Sequence, residues 1–262
     1  MSVPAFRFAP SPNGELHLGH AYCALLNARM AQEAGGRFLI RIEDIDTLRC
    51  PPELARRALD DLAWLGLAWE QPVRIQSGHV ADYVVQQEKL VGLGLLYPCF
   101  CTRKEISASA DHGRRDPEGQ PIYPGTCRTL TNSAIAGRLA AGQTPALRID
   151  MHAAGYADGL AWGDVILVRK DIGSSYHMAV VTDDHLQGIT HVVRGRDLEA
   201  ATAIHLLLQR LLGFSTPNYH HHKLIGDETG RKLSKSQGAK SLGSLRDEGV
   251  TAADIRRALG FG

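Results

Sequence analysis

The chain has 262 residues, of which 44% are hydrophobic and 22% are charged, and its formal net charge is +1. These values are ordinary for a soluble globular protein, and the near-neutral charge excludes nucleic-acid binding through overall basicity. Any contact with RNA or DNA must therefore come from local patches. The length is enough for one large α/β domain with an insertion, or for two modest domains.

The first residues lack the apolar core of a signal peptide, and no apolar run approaches the length of a membrane span. The five cysteines are an odd number at irregular spacing, which favours a reducing compartment and metal ligation over a disulfide framework. We therefore expect a cytoplasmic protein without a membrane partner.

The first predicted elements are a strand at residues 5–9 and a helix from about Ala21 to Glu33. The sequence HLGH, at residues 17–20, lies at the amino end of this helix. Free backbone N–H groups and the helix dipole favour a phosphate at that position. The motif therefore predicts a phosphate site that carries two imidazole rings.

A second strand is predicted at residues 37–42, and Glu43 lies at its carboxyl end. Strand, helix and strand in this order begin a right-handed parallel crossover. Ligands of such sheets bind at the carboxyl ends of the strands. We therefore expect five polar side chains to converge on one crevice, namely Arg7, Ser11, His17, His20 and Glu43.

Later elements follow from shorter signals. A helix is predicted from Pro51 to about Leu65, because proline is tolerated in the first helical turn. Asp197 is predicted to cap a helix that ends near Leu212, and a last helix lies near residues 252–259. Short apolar runs predict four more strands, at residues 146–149, 164–169, 178–181 and 189–193.

Three polar segments complete the chain. Residues 99–127 are rich in charge, Gly and Pro, and are predicted to form an insertion. The histidines at residues 220–222 are predicted to form a solvated strand edge, with contact to ATP as the alternative. The sequence KLSKS at residues 232–236 places two lysines and two serines in a Gly-flanked loop that can close on a polyphosphate. HLGH and KLSKS together predict a two-sided clamp on ATP.

HLGH and KLSKS resemble the HIGH and KMSKS signatures of the class I aminoacyl-tRNA synthetases. Residues 7–20 resemble the opening of glutamyl-tRNA synthetases, and residues 41–46 and 193–198 add two more matching blocks in order. The resemblance implies an α/β fold with a Rossmann-like parallel sheet, a zinc-binding insertion and a short C-terminal helical stem.

The same resemblance implies a division into four parts. These are the first half of the catalytic domain, the insertion, the second half of the catalytic domain, and the lysine loop with the stem, at residues 1–98, 99–130, 131–215 and 216–262. Full glutamyl-tRNA synthetases continue into an anticodon-binding domain, which this sequence is expected to lack. In that respect it is similar to the glutamyl-queuosine tRNA(Asp) synthetases.

Membership of that family would imply activation of L-glutamate with ATP and Mg²⁺, without a need for tRNA. The glutamyl group would then pass to the queuosine base in the anticodon loop of tRNA(Asp), and we expect the enzyme to be a monomer. His17, His20 and Lys235 would be catalytic. The ATP site would comprise His17, Gly19, His20, Lys232, Ser234, Lys235 and Ser236.

The resemblance also assigns the glutamate site and a metal site. Glutamate would be bound by Arg7, Ser11, Glu43, Tyr176 and Arg194. Two arginines favour glutamate over glutamine, since a neutral amide would leave one cation unpaired. One structural zinc ion would be held by Cys99, Cys101, Tyr123 and Cys127, with His112 as a rival fourth ligand.

Three alternatives remain open at this point. The chain could be the catalytic core of a conventional glutamyl-tRNA synthetase, or a different HxGH adenylyltransferase that acts on a small metabolite. It could also be a non-catalytic, synthetase-like module that binds tRNA. Glutamate-dependent pyrophosphate exchange would separate a glutamate-activating enzyme from another adenylyltransferase, and an absolute requirement for tRNA would indicate the conventional synthetase.

Overall fold

The framework of the chain is a parallel sheet and a smaller antiparallel sheet. The computed structural model describes residues 3–109, 114–156, 161–226 and 240–262. The strands are β1 (Ala5–Phe8), β2 (Arg37–Ile42), β3 (Glu70–Ile75), β4 (Leu96–Cys99), β5 (Ala146–Ile149), β6 (Ile166–Val168), β7 (His191–Gly195) and β8 (Asn218–His222). The helices are α1 (Leu18–Glu33), α2 (Pro52–Trp64), α3 (Val80–Gly92), α4 (Arg103–Ser109), α5 (Asn132–Ala140), α6 (Tyr176–Leu186), α7 (Thr202–Leu212), α8 (Leu242–Asp247) and α9 (Ala252–Ala258).

The chain divides into two compact units. The first comprises Met1–His79, Leu186–Glu199 and Pro217–Gly262, and the second comprises Val80–His185 and Ala200–Thr216. Within the parts of the chain that the structure describes, we find no helix with the length and apolar character of a membrane span.

The first unit is built on five parallel strands in the order β3–β2–β1–β7–β8. All four residues of the central strand β1 are buried, as is usual for a parallel strand inside a sheet. The chain moves outward from β1 to β2 and β3 on one side, and returns to β7 and β8 on the other. The strand order therefore reverses between β1 and β7, the place where open α/β sheets bind their ligands.

The main apolar core of this unit unites the sheet with helices from both ends of the chain. Phe6 of β1 and Ile40 of β2 pack with Leu25 of α1, and Leu242 of α8 and Ile255 of α9 belong to the same cluster. Each fully buried aliphatic side chain contributes roughly 1.5–3 kcal/mol. The two short C-terminal helices are therefore held to the sheet by apolar burial.

The second unit contains the antiparallel sheet β4–β5–β6 and helices that pack beside it. Helix α3 contacts α7 and β4. The buried hydroxyl of Tyr83 on α3 donates a hydrogen bond of 3.0 Å to Asp183 on α6. These contacts join α3, α6 and α7 into one helical layer.

The predicted parallel α/β fold is confirmed, and the early elements agree closely with the structure. Strands β1 and β2 and helices α2 and α9 lie within a few residues of their predicted bounds. Helix α1 begins at Leu18, earlier than the predicted Ala21, because the HLGH motif itself forms its first turn. The three histidines lie in β8, at the edge of the parallel sheet, as predicted, but only His220 is exposed to solvent and His222 is buried.

One predicted strand is wrong. Residues 178–181 lie in helix α6, whose residues from Met178 to Asp184 are all buried. The hydroxyl of Ser175 accepts the N–H of Met178 at 3.4 Å and helps to start the helix. A helix that is buried on every side shows no amphipathic period, so its short apolar run has the same appearance as a buried strand.

The elements around residue 197 also differ from the prediction. Asp197 lies in a short 3₁₀ turn, Arg196–Leu198, and the residue before α7 is Ala201, which makes no side-chain cap. The neighbouring strand is displaced toward the carboxyl end, to His191–Gly195. The predicted strand at 164–169 is confined to Ile166–Val168.

Candidate active site

The two histidines of the HLGH motif cap the amino end of α1. The N–H of Gly19 donates to Nδ1 of His17 at 3.1 Å, and the N–H of His17 donates to Nδ1 of His20 at 3.1 Å. Because both Nδ1 atoms accept hydrogen bonds, the ring protons lie on the Nε2 atoms. The cap thus prepares two N–H donors beside a helix terminus that already favours phosphate.

Glycine at position 19 leaves room for this arrangement. A Cβ atom there would lie 3.0 Å from Cε1 of His17, which is tighter than ordinary carbon contacts. The rings of His17 and His20 lie close together, with their centroids 3.9 Å apart. A larger residue at 19 would therefore force the first imidazole to shift by a few tenths of an ångström.

The chain that follows residues 227–239 returns to this helix terminus. Ser241 forms an isolated antiparallel bridge with His17, and the N–H of Leu242 donates to the carbonyl of Leu16 at 2.7 Å. Leu242 is fully buried in the main core. The predicted ATP-site residues Lys232, Ser234, Lys235 and Ser236 lie outside the described residues.

Two buried arginines occupy the adjacent strands β1 and β7. Arg7 and Arg194 are each 4% exposed. Nε of Arg194 lies 3.4 Å from Nε2 of His221, and burial, followed by the Arg194 charge, lowers the pKa of that histidine. Burial raises the pKa of the Cys23 thiol to about 12, while the nearby Arg7 guanidinium acts in the opposite direction. Two guanidinium charges therefore lie near the point where the strand order reverses.

A carboxylate and a hydroxyl lie at the carboxyl ends of the neighbouring strands. Glu43 follows β2, and its backbone N–H donates to the carbonyl of Pro10 at 3.0 Å. Ser11 is exposed in the loop after β1, with its hydroxyl 3.7 Å from the sulfur of Cys50. The first unit thus supplies four of the five predicted glutamate ligands from three adjacent strands.

Glu43 is supported by a residue that the sequence analysis missed. Nη2 of Arg41, which is fully buried, lies 3.1 Å from Oε1 of Glu43, and its Nη1 donates to Oε1 of Gln187 at 3.0 Å. The signal was present in the sequence, since residue 43 continues the alternation of the strand on which Arg41 lies, and side chains two positions apart point the same way. Gln187 was not predictable, because it is 146 residues distant in the chain.

Tyr176, the fifth predicted glutamate ligand, belongs to the second unit and is the first residue of α6. Its ring contacts the imidazoles of His177 and His205, with centroids 5.5 and 5.6 Å away. The two histidines are themselves joined by a contact of 3.2 Å between ring nitrogens. The tyrosine is thus half-buried against two neighbouring imidazoles.

Three cysteine sulfurs gather in the second unit as a candidate metal centre. The Sγ atoms of Cys99, Cys101 and Cys127 all lie within 4.8 Å of one another. The hydroxyl of Tyr123 lies 3.8 Å from Sγ of Cys101 and accepts the N–H of Cys127 at 2.7 Å. Sulfurs in a tetrahedral zinc site with Zn–S bonds of about 2.3 Å lie roughly 3.8 Å apart, so this donor set fits zinc. His112 lies outside the described residues.

The surroundings of this cluster explain why a cation would stabilise it. Burial, and next the Cys127 thiol, raise the pKa of Cys101 to about 11. Its apolar neighbours are few, chiefly Phe100, Ile106 and Leu130, and α4 buries no side chain. A bound cation would favour the thiolates and add the folding energy that so small a core lacks.

Comparison with known proteins identifies the family. Residues 5–260 match the family described as tRNA synthetases class I (E and Q), catalytic domain. The glutamyl-Q tRNA(Asp) synthetase of Rhodobacter capsulatus is 45% identical, over 97% of this chain and 99% of that protein. The protein of the same name from Symbiobacterium thermophilum is 41% identical, over 95% of this chain and 83% of its own length.

A solved structure agrees with this assignment. The glutamate-tRNA synthetase of Elizabethkingia anophelis superposes with a TM-score of 0.74 at 27% identity, over 90% of this chain and 53% of that one. The chain therefore spans about half the length of that synthetase. The match across residues 5–260 and the extended identity to the shorter relatives show that the protein belongs to the class I tRNA synthetases (E and Q), in the glutamyl-Q tRNA(Asp) synthetase family.

Proposed function

We propose that the protein activates L-glutamate with ATP and transfers the glutamyl group to the queuosine base in the anticodon loop of tRNA(Asp). The observation that carries the proposal is the 45% identity, over almost the whole chain, to a relative named glutamyl-Q tRNA(Asp) synthetase. The geometry around His17 supports the ATP half of the reaction.

In the first step the α-carboxylate of glutamate attacks the α-phosphorus of ATP in line, and pyrophosphate leaves with the electron pair of the broken P–O bond. The Nε2–H groups of His17 and His20 donate to the phosphate oxygens as charge develops on them. Lys235 holds the leaving pyrophosphate, assisted by Lys232, Ser234 and Ser236. Mg²⁺ arrives with ATP and neutralises part of its charge.

The bridge at Ser241 supports a shared site for the two motifs. Lys235 is six residues before Ser241, and an extended chain spans at most about 3.6 Å per residue. The sequence thus allows at most roughly 22 Å of extended chain between residue 235 and Ser241, the residue that is paired with His17.

Glutamate is selected by charge. Arg7 and Arg194 bind carboxylate, Glu43 accepts hydrogen bonds from the α-ammonium group, and Ser11 and Tyr176 contribute hydroxyl groups. Both arginines are buried, so a neutral amide in place of the γ-carboxylate would lose a charge-assisted hydrogen bond. This arrangement favours glutamate strongly over glutamine.

In the second step a hydroxyl group of queuosine attacks the acyl carbon of the glutamyl-adenylate. The new C–O bond forms as AMP leaves, and the hydroxyl proton is lost. A zinc ion would be held by Cys99, Cys101, Cys127 and Tyr123, where it would stabilise the fold of the insertion.

The test is to offer labelled glutamate, with ATP, to tRNA(Asp) that contains or lacks queuosine, and to locate the label in ribonuclease fragments. We expect label in the anticodon-loop fragment of the queuosine-containing tRNA alone. Label at the 3′ end of tRNA(Glu) would identify a conventional glutamyl-tRNA synthetase instead. Pyrophosphate exchange that ignores glutamate would identify another adenylyltransferase.

A further inference from the structure

Glu43 is the end of a chain of three polar side chains that begins at Gln187. Oε1 of Gln187 accepts from Nη1 of Arg41 at 3.0 Å, and Nη2 of the same guanidinium lies 3.1 Å from Oε1 of Glu43. Arg41 is fully buried, and the Glu43 side chain is 10% exposed. The Glu43 carboxylate is therefore paired with a positive charge that solvent does not reach.

The shape of arginine is what makes this connection directional. Its guanidinium is planar and carries its donors at fixed angles, whereas a lysine ammonium is a single point of charge on a flexible stem. With Nη1 fixed by Gln187, the direction in which Nη2 meets Glu43 is also fixed. The backbone of Glu43 is separately anchored by its hydrogen bond to Pro10. The backbone and the carboxylate of Glu43 are thus both constrained.

We propose that Arg41 and Gln187 are positioning residues, which orient the Glu43 carboxylate toward the α-ammonium group of the substrate. The inference rests on the proposed function, in which Glu43 recognises that group. Arg41 itself does not contact the substrate. Loss of the Arg41–Glu43 contact weakens binding of the substrate amino group. Recognition of the two substrate carboxylates is unchanged.

Glutarate separates these two effects, because it has both carboxylates of glutamate and no amino group. We would measure glutamate-dependent ATP–pyrophosphate exchange, and its inhibition by glutarate, in the wild type and in Arg41→Lys. The variant should raise the KM for glutamate about tenfold, since misplacement by about 1 Å can cost that much or more. The KM for ATP and the inhibition constant of glutarate should change less than twofold.

Arg37→Lys is the matched control. Arg37 lies on the same strand and also pairs with a glutamate, Glu70, at 2.6 Å, but that pair is exposed at the opposite end of β2. Its substitution should leave all three constants unchanged. Gln187→Met keeps Arg41 and should raise the KM for glutamate about threefold, which gives a second test if Arg41→Lys does not fold.

Glu43→Gln completes a double-mutant cycle. If Arg41 acts through Glu43, adding Arg41→Lys to Glu43→Gln should change the KM for glutamate less than twofold further. Fully additive effects, or a glutarate constant that rises with the KM for glutamate, would overturn the inference. A wild type without glutamate-dependent exchange would instead overturn the proposed function, so the two failures are distinguishable.

Discussion

Ser241 pairs with His17 through an isolated antiparallel bridge, which ties the segment after residues 227–239 to the start of α1. The two residues are 224 positions apart, yet the bridge brings the flank of one motif to the backbone of the other. Leu242, buried next to the bridge, anchors this attachment in the main core.

His17→Asn should separate helix capping from catalysis. The Asn side-chain oxygen can replace Nδ1 as the cap acceptor, but no donor remains at the position of Nε2. We expect exchange activity to fall about 100-fold, the effect of losing one transition-state donor. His17→Ala should in addition lose about 1 kcal/mol of stability. Calorimetry and exchange assays check both points, and an active Asn variant would contradict the donor role of the ring.

Leu242→Ala should detach the C-terminal junction from the core. Truncating a fully buried leucine costs about 2–5 kcal/mol, so the melting temperature should fall clearly and the KM for ATP should rise. Leu139→Ala is the control, because Leu139 is half exposed on α5. Equal melting temperatures for the two variants would show that the junction does not contribute to stability.

Lys235→Ala should remove most of the pyrophosphate exchange, by about 100-fold or more, because the leaving group loses its main cation. Lys89→Ala, at an exposed position on α3, is a charge-matched control that should remain active. Circular dichroism should show that both variants fold. Near-normal turnover of the Lys235 variant would remove the second half of the proposed clamp.

The cysteine cluster should contain about one zinc ion per chain, the number that a single tetrahedral site holds. Cys127→Ser should abolish the zinc content, whereas Cys50→Ser, outside the cluster, should retain it. Loss of zinc from Tyr123→Phe would identify the tyrosine as the fourth ligand, whereas retained zinc would favour His112. Metal analysis by mass spectrometry provides the measurement, and a zinc-free wild type would reject the site.

Asp61 should make stability depend on pH. Burial raises its pKa to about 6, although Arg246 lies 3.5 Å away and opposes the shift. The pKa of Asp61 is higher in the folded state than in the unfolded state. The stabilising contribution of its protonated carboxyl is therefore present below about pH 4 and is lost as pH rises through about 6. The advantage of the wild type over Asp61→Asn should therefore shrink by roughly 1–2 kcal/mol between pH 5 and 7.5.

Urea unfolding at the two pH values measures this difference. Asp60→Asn is the control. It removes the same charge from the adjacent position, which is exposed. Its unfolding free energy, relative to the wild type, should change less between the two pH values than that of Asp61→Asn. A constant difference for Asp61→Asn as well would show that the buried carboxyl does not titrate in this range.

Local sequence was sufficient wherever one short segment carries the whole signal. The alternating first strand, the HLGH turn and the strand before Glu43 predicted the parallel sheet and the start of α1. The cysteine spacing likewise pointed to a cluster whose sulfurs the structure brings within 4.8 Å. Backbone alternation and helix-terminus chemistry depend on residues that are neighbours in the chain. Both can therefore be predicted from the sequence.

Tertiary structure decided everything that depends on burial and on distant partners. Helix α6 had the appearance of a strand because it is buried on all sides, and Gln187 joined Arg41 only through folding. The attachment of Ser241 to His17 likewise has no local signature, since a single backbone bridge constrains no side-chain pattern. The sequence by itself thus determined the chemistry of the motifs, while the fold decided which side chains orient them, because orientation requires contacts across long chain separations.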